Sequence, residues 1–348
     1  MLRVGWIMLV VSCAARTPEF AVQSMEEGPF TFGPCPETLL HAAQTECALV
    51  QAPLDGSVPS SRTITLFVRR IPAVPGSVSA DQVWALDGGP GFAGDVFTDP
   101  DFYQGVRAAG YDVIIPTHRG SVYGTGLSCP GQQAPDSPGG GRVVAAEYPA
   151  CVEALQAQWG DDLARFSAVD AARDVLYLMR RMKTEGRVVV FGGSYGSVWG
   201  QRLLQLDPPI AGMWLDSIVD LDEGLDQADE NAHDAGMTLL GRCADTPACA
   251  ERFPDGPLAT AEALIETMPE PICGLPPATI RRLLNRLLSS HPADQALVAP
   301  TVLRLHRCDE DGPALMHAVA RMDQSANTNP PLAYNPLLNR LISRWMIR

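Results

Sequence analysis

The rhythm of apolar and polar positions changes along the chain, and the changes predict its elements. Residues 17–45 read as an irregular lead-in. Thr63 to Arg70 (TITLFVRR) alternates as a half-buried strand does. Val83 to Leu86 is a short apolar run that ends at Asp87-Gly88-Gly89-Pro90-Gly91, and Tyr111 to Pro116 (YDVIIP) is another, ending in a loop rich in Gly and Ser. Residues 131–142 (GQQAPDSPGGGR) form a polar surface loop. The spacing then switches to that of a helix over Ser167 to Met182. Ser167 and Asp170 make a capping box, Ala172, Val175, Leu176, Met179 and Met182 line one face, and Gly186 is the stop. Arg187 to Phe191 (RVVVF) has the β-branched composition of a central parallel strand. It breaks at Gly192-Gly193-Ser194-Tyr195-Gly196, a helical pattern follows over Val198 to Leu206, and Gly212 to Val219 reads as the next strand.

Strands alternating with helices predict an α/β fold, with a mostly parallel sheet covered on both faces. From about Glu223 only helical patterns remain: Asp229 to Arg242, Ala259 to Thr267, Thr279 to Ser289, Ala299 to Arg307, Pro313 to Met322 and Pro336 to Met346. The expected organisation is a leader over 1–13, a core over 14–222 and a helical lid over 223–348, inserted after the sixth sheet strand or standing as a separate helical domain.

The leader reading rests on Arg3, the apolar run Val4 to Val11 and the small residues after it. Val10-Val11-Ser12-Cys13 also resembles a bacterial lipobox, which would attach the chain to a membrane through a lipidated Cys13. Both readings send the protein out of the cytoplasm, to the periplasm, the medium or a lipid anchor. Cysteine usage agrees. Nine cysteines are more than a reducing compartment favours, and setting Cys13 aside leaves an even number. None of the couples is Cys-x-x-Cys, and no His lies at zinc-ligand spacing from them, so neither metal nor cofactor is expected. Sequential spacing and export predict the pairs Cys35–Cys47, Cys129–Cys151, Cys243–Cys249 and Cys273–Cys308. A net charge of −14 argues against a nucleic-acid partner. It suits solubility, and it would also suit a substrate with a free amino group.

The chemistry centres on Gly192-x-Ser194-x-Gly196. At a strand-to-helix junction this pattern makes a sharp turn that pushes the middle side chain out of the sheet, where only glycines tolerate the crowding on either side. The hydroxyl then stands at a helix start, whose dipole and free N–H groups favour developing negative charge. Ser194 is therefore the expected nucleophile. The glycines after Val83–Leu86 let the backbone approach a substrate, so the N–H of Tyr195 with that of Gly88 or Gly89 is the expected oxyanion hole.

Together these motifs resemble the proline iminopeptidase family of α/β-hydrolases. DGGPG is similar to that family's HGGPG box, with Asp87 in place of the histidine. Thr117-His118-Arg119-Gly120-Ser121 with Gly126-Leu127-Ser128 is similar to its D-x-R-G-x-G-x-S stretch, with Thr117 in place of the acid and about four extra residues. GGSYG matches the elbow of the tripeptidyl aminopeptidase branch, which is secreted and carries a cysteine-bearing helical lid; Cys243 to Cys249 resembles part of that lid. The resemblance covers roughly 45 to 345. It implies an α/β-hydrolase fold and an exported serine aminopeptidase that removes short units from peptide N-termini through an acyl-enzyme. It also implies a carboxylate clamp for the substrate amine, for which Asp222 and Glu223, with Asp226, Asp229 and Glu230, are the candidates. An ester hydrolase on the same fold and a catalytically inactive protein are the alternatives.

The family places an acid after its seventh strand and a histidine after its eighth. No such strands are read after Gly212–Val219, so the sequence is expected to lack both, as a truncated chain would. The downstream histidines His233, His291, His306 and His317 fall in or beside helical patterns and read as lid residues. Asp216 or Asp220 lies in or just after the sixth strand, where a minority of these folds place the acid. Oligomeric state is not legible.

Overall fold

The computed structural model describes residues 22–25, 28–58, 61–76, 80–92, 94, 97–140, 143–182, 184–221, 228–289, 292–308, 314–315 and 317. Cys13, the predicted leader, the predicted helix Pro336 to Met346 and most of Pro313 to Met322 lie outside these residues. The described chain forms two compact units that part between Leu221 and Asp222.

The first unit is built on one sheet. Its strands are β1 (Val22–Gln23), β2 (Gly33–Pro34), β3 (Glu46–Pro53), β4 (Thr63–Ile71), β5 (Gln82–Leu86), β6 (Asp112–Pro116), β7 (Val188–Gly193) and β8 (Gly212–Asp216). The order is β1-β3-β4-β6-β5-β7-β8, with β2 beside β3. β3, β4 and β6 pair antiparallel, while β6, β5, β7 and β8 run parallel. β8 is thus the sixth strand along the path from β3, and among the described residues no strand follows it.

Period-two alternation divides the side chains between two layers. Trp84, Leu86, Ile114, Val188 and Val190 bury themselves with Val175, Met179 and Leu178 of α3 (Ala168–Met182) and with Val198, Trp199 and Leu203 of α4 (Tyr195–Leu204). Ala85, Val113 and Ile115 join a smaller cluster on the other face with Tyr103, beside α1 (Gln104–Ala108). Ser167 caps α3 as read, though its partner bond is made by the hydroxyl rather than the backbone N–H: the Ser167 hydroxyl accepts the Asp170 N–H at 3.2 Å and donates to its carboxylate at 2.8 Å.

Several boundaries differ from the sequence reading. The lead-in carries the two short strand pairings of β1 and β2 against β3. β3 itself and α2 (Tyr148–Trp159) were not read from the pattern. β8 ends at Asp216 rather than Val219, because Ser217 turns to φ 55° and the backbone N–H two residues on bonds back to the core: Val219 donates to Ser197 Oγ at 2.9 Å.

The second unit is helical: α5 (Ala228–Ala244), α6 (Pro247–Ala250), α7 (Pro257–Thr267), α8 (Pro277–Leu288), α9 (Pro292–Gln295) and α10 (Val298–Arg307). Its core holds Leu240, Leu264, Ile280, Leu283, Val302 and Leu305. Four of these helices begin with Pro inside the first turn, where a missing N–H costs nothing. All four predicted cysteine pairs are joined, with Cα separations of 4.9 to 5.2 Å. Cys243–Cys249 ties α5 to α6, and Cys273–Cys308 ties the loop before α8 to the end of α10. No helix among the described residues is long and apolar enough to cross a membrane.

Candidate active site

β5 lies between β6 and β7, so the chain leaves β5 toward one side and returns on the other. In parallel sheets such a switch opens a crevice at the carboxyl ends of the strands. β5 delivers Asp87 to Gly91 to that crevice and β7 delivers Gly192 to Gly196. The two loops touch: a Cβ built on Gly88 would lie 3.3 Å from Ser194 Cβ and 3.7 Å from Ser194 Oγ.

Ser194 has φ 54° and ψ −122°, a conformation that an L-residue adopts only when its surroundings over-determine it. The surroundings are visible. A Cβ on Gly192 would meet the carbonyl oxygen of Gly196 at 2.4 Å, and one on Gly196 would meet that of Leu86 at 2.0 Å. The Ser194 N–H donates to Asp216 O at 3.0 Å across the β7–β8 pair, and Ser194 O accepts from Ser197 N–H at 2.9 Å. The turn is therefore held from both sides, with α4 starting directly at Tyr195. As the first residue of α4, Tyr195 has no intrahelical acceptor for its N–H.

The structure narrows the oxyanion-hole expectation. The Gly88 N–H is already bonded to Asp87 Oδ1 at 2.6 Å, and Asp87 Oδ2 accepts the Gly94 N–H at 3.0 Å. Gly88 is therefore not a free donor. The N–H groups of Gly89 and Tyr195 have no hydrogen-bond partner among the described residues, and Gly89 takes φ 108°, open to glycine alone. Asp87 replaces the histidine of the similar box and is the brace that shapes this loop.

Beneath the elbow lies a network that the sequence pattern did not reveal. The Tyr195 hydroxyl bonds to His118 Nε2 at 3.0 Å, and His118 Nδ1 bonds to Arg119 O at 2.7 Å. A carbonyl only accepts, so Nδ1 carries the proton. Burial pushes the imidazole pKa down to about 4, leaving Nε2 bare to accept from Tyr195. Burial likewise pushes the Tyr195 phenol well above its ordinary value, keeping it a donor. Next to it, fully buried Arg119 makes a two-pronged pair with Asp174 of α3 at 2.6 and 2.7 Å and donates to the carbonyls of Leu54 and Arg165. Thr117 donates to Phe67 O at 2.9 Å and so takes a structural place.

The remaining expected residues are not brought together. His118 has both nitrogens engaged, and His41, the other histidine of the first unit, lies before a 3-10 turn at φ 54°. His233, His306 and His317 are exposed residues of the second unit, while His291 lies outside the described residues, as do Asp222, Glu223 and Asp226. Of the other amine candidates, Glu230 is exposed on α5. Asp216 is exposed at the end of β8, where its carboxylate accepts from the Ser217 hydroxyl at 3.0 Å; Asp220 is also exposed.

Residues 86–252, from the end of β5 through the elbow to α6, match the family described as alpha/beta hydrolase fold. Sheet order, elbow and match agree. The chain has the α/β-hydrolase fold.

Solved structures similar to this chain include a cold-adapted esterase from an Arctic intertidal metagenomic library, at 12% identity over 60% of this chain and 73% of that one, with a TM-score of 0.32. The juvenile hormone epoxide hydrolase of the silkworm Bombyx mori aligns at 17% identity over 80% and 64%, with a TM-score of 0.31. The epoxide hydrolase of Aspergillus niger aligns at 13% over 80% and 63%, also at 0.31. The chain thus spans less than two thirds of the length of either epoxide hydrolase. No curated protein matches it.

Proposed function

We propose that this α/β-hydrolase is an exported serine hydrolase that works through an acyl-enzyme on Ser194, and that it is an aminopeptidase taking short units from peptide N-termini. The observation that carries the serine reading is the conformation of Ser194: a non-glycine residue at φ 54°, ψ −122°, held there by glycine-only contacts at the mouth of the crevice. A turn made only to reverse the chain would use Gly at that position at no strain.

In this mechanism Ser194 Oγ attacks the carbonyl carbon of the scissile bond. Negative charge moves to the carbonyl oxygen, toward the N–H groups of Tyr195 and Gly89 at the positive end of α4. The leaving amine departs with a proton and water releases the acyl group. The proton must be relayed by a base other than His118, whose Nε2 is occupied and whose pKa lies far below neutrality. The peptide reading rests on the resemblance of the DGGPG and GGSYG motifs to those of aminopeptidases, and on the acidic cluster from Asp222 to Glu230, which would bind a substrate ammonium. Four disulfides and the predicted leader support export.

The test is a paired panel of chromogenic tripeptide and prolyl amides, their N-acetylated forms, and p-nitrophenyl esters of matched acyl length. The proposal predicts cleavage of free peptides with loss of rate on acetylation. Ester turnover without peptide turnover would assign an esterase instead, and equal rates on acetylated peptides would remove the amine clamp.

A further inference from the structure

The helical unit carries a groove of its own. Helices α5, α7, α8 and α10 leave about 500 Å³ open between them, within the roughly 300–1,000 Å³ typical of small-molecule sites. Leu240, Leu264 and Val302 form its buried wall, and Ile265, 43% exposed, lines it too. Every lining residue belongs to the second unit. Gly236 of α5 keeps the space clear: a Cβ there would meet only the Leu288 methyl carbons, at 3.7 and 3.9 Å.

The polar part of the lining decides what would fill it. Arg281 and His233 are its only ionisable residues, and Asn285 adds an amide one turn from Arg281 on α8. None of these three side chains has a hydrogen bond or ion pair among the described residues. Glu230 and Asp234 of α5 and Glu262 and Glu266 of α7 are not part of the lining. Helices α8 and α10 hold no acid at all, although the chain's net charge is −14. An apolar wall favours an aliphatic chain, and a guanidinium fork matches a carboxylate in two-pronged fashion. The first unit shows the opposite case. Its sheet bears an apolar groove of about 630 Å³ whose one charged lining residue is Asp216, which would repel an anion.

We propose that the groove of the helical unit binds the anion of a medium-chain aliphatic carboxylic acid. The carboxylate accepts from Arg281 and Asn285, and the chain lies over Leu240, Leu264 and Val302. The site is separate from the serine chemistry and does not depend on it.

Photolabelling of the full chain with a decanoic acid that carries a diazirine in its chain tests this, with the labelled peptides mapped by mass spectrometry. The expected result is label on peptides containing Ala232 to Leu240 or Leu264 to Met268. Excess decanoate should compete it away, and decyltrimethylammonium should not. Arg281→Glu, a change at an exposed position, should cut the yield by about tenfold or more, because the carboxylate loses its charged donor and meets a like charge. Gly236→Leu should cut it similarly by filling the groove, while improving the helix propensity of α5. Label chiefly on residues 83–111 or 189–216, equal competition by decyltrimethylammonium, or a yield unmoved by Arg281→Glu would each overturn the proposal.

Discussion

Two neighbouring strands of this sheet end in the same way and come to different things. β7 runs into Ser194 at φ 54°, and β8 runs into Ser217 at φ 55°. Ser194 is flanked by glycines whose missing side chains are replaced by backbone, and α4 begins at the next residue. Ser217 stands between Asp216 and Ile218, all three exposed, and has no helix directly after it. Its hydroxyl donates to the Asp216 carboxylate and so lends a proton locally rather than facing a crevice. A left-handed serine at a strand end thus occurs in two different settings. What distinguishes Ser194 is that every neighbour fixes it: Gly192 and Gly196 by close approach, Asp216 by a main-chain bond, and Tyr195 by its anchor on His118.

The contrast breaks most sharply at Gly196. Its Cβ would lie 2.0 Å from a main-chain oxygen of β5, so Gly196→Ala must push the start of α4 away from a central strand. We expect a loss of about 4 kcal/mol or more, or no folded protein, measured by urea denaturation. The alanine substitution at Gly241, which meets nothing within 4 Å, is the control and should be close to neutral or stabilising.

The support under the elbow comes next. Arg119→Met leaves Asp174 charged, buried and unpaired, at a cost of about 3–5 kcal/mol. Arg119→Met with Asp174→Leu should recover part of that loss. If the double variant is no more stable than the single one, the ion pair is not what holds α3 to the loop after β6.

A third measurement sharpens the role of His118. Its folded pKa of about 4 lies below the unfolded value of 6.5, so the unfolded chain binds the proton first. Stability from this group is full above pH 6.5 and falls as the pH drops toward 4, by roughly 3 kcal/mol in total. His118→Phe lacks that proton and should show a shallower acid limb than wild type between pH 6.5 and 4. Parallel limbs would mean that the imidazole is not kept neutral. The smallest effect belongs to Ser217. Ser217→Gly relieves a positive φ at an exposed site with nothing packed on it, and should change stability by less than about 1 kcal/mol.

These cases also mark what the sequence could show. The elbow, the glycine-rich loop after β5, the Ser167 cap of α3 and the disulfide partners rest on short-range patterns, so they were legible. β3 was missed because its eight residues, ECALVQAP, begin with a glutamate and end in proline, which blurs the alternation. α2 was missed because only Cys151, Leu155 and Trp159 face inward, too thin a stripe to stand out beside a Gly/Pro-rich loop. The braces of the site were illegible for another reason: His118 and Tyr195 are 77 residues apart, and Arg119 and Asp174 are 55 apart. Gly88 and Gly89 stay open alternatives in the sequence because a glycine-rich loop does not reveal which of its N–H groups a neighbouring aspartate claims.

The central claim is that Ser194 is an activated serine and Ser217 is not. A fluorophosphonate probe applied to the full chain, followed by mapping of the modified peptide, tests it directly. The account predicts labelling on the peptide containing Ser194, abolished by Ser194→Ala and unchanged by Ser217→Ala. Labelling that survives Ser194→Ala, or that disappears with Ser217→Ala alone, would contradict it.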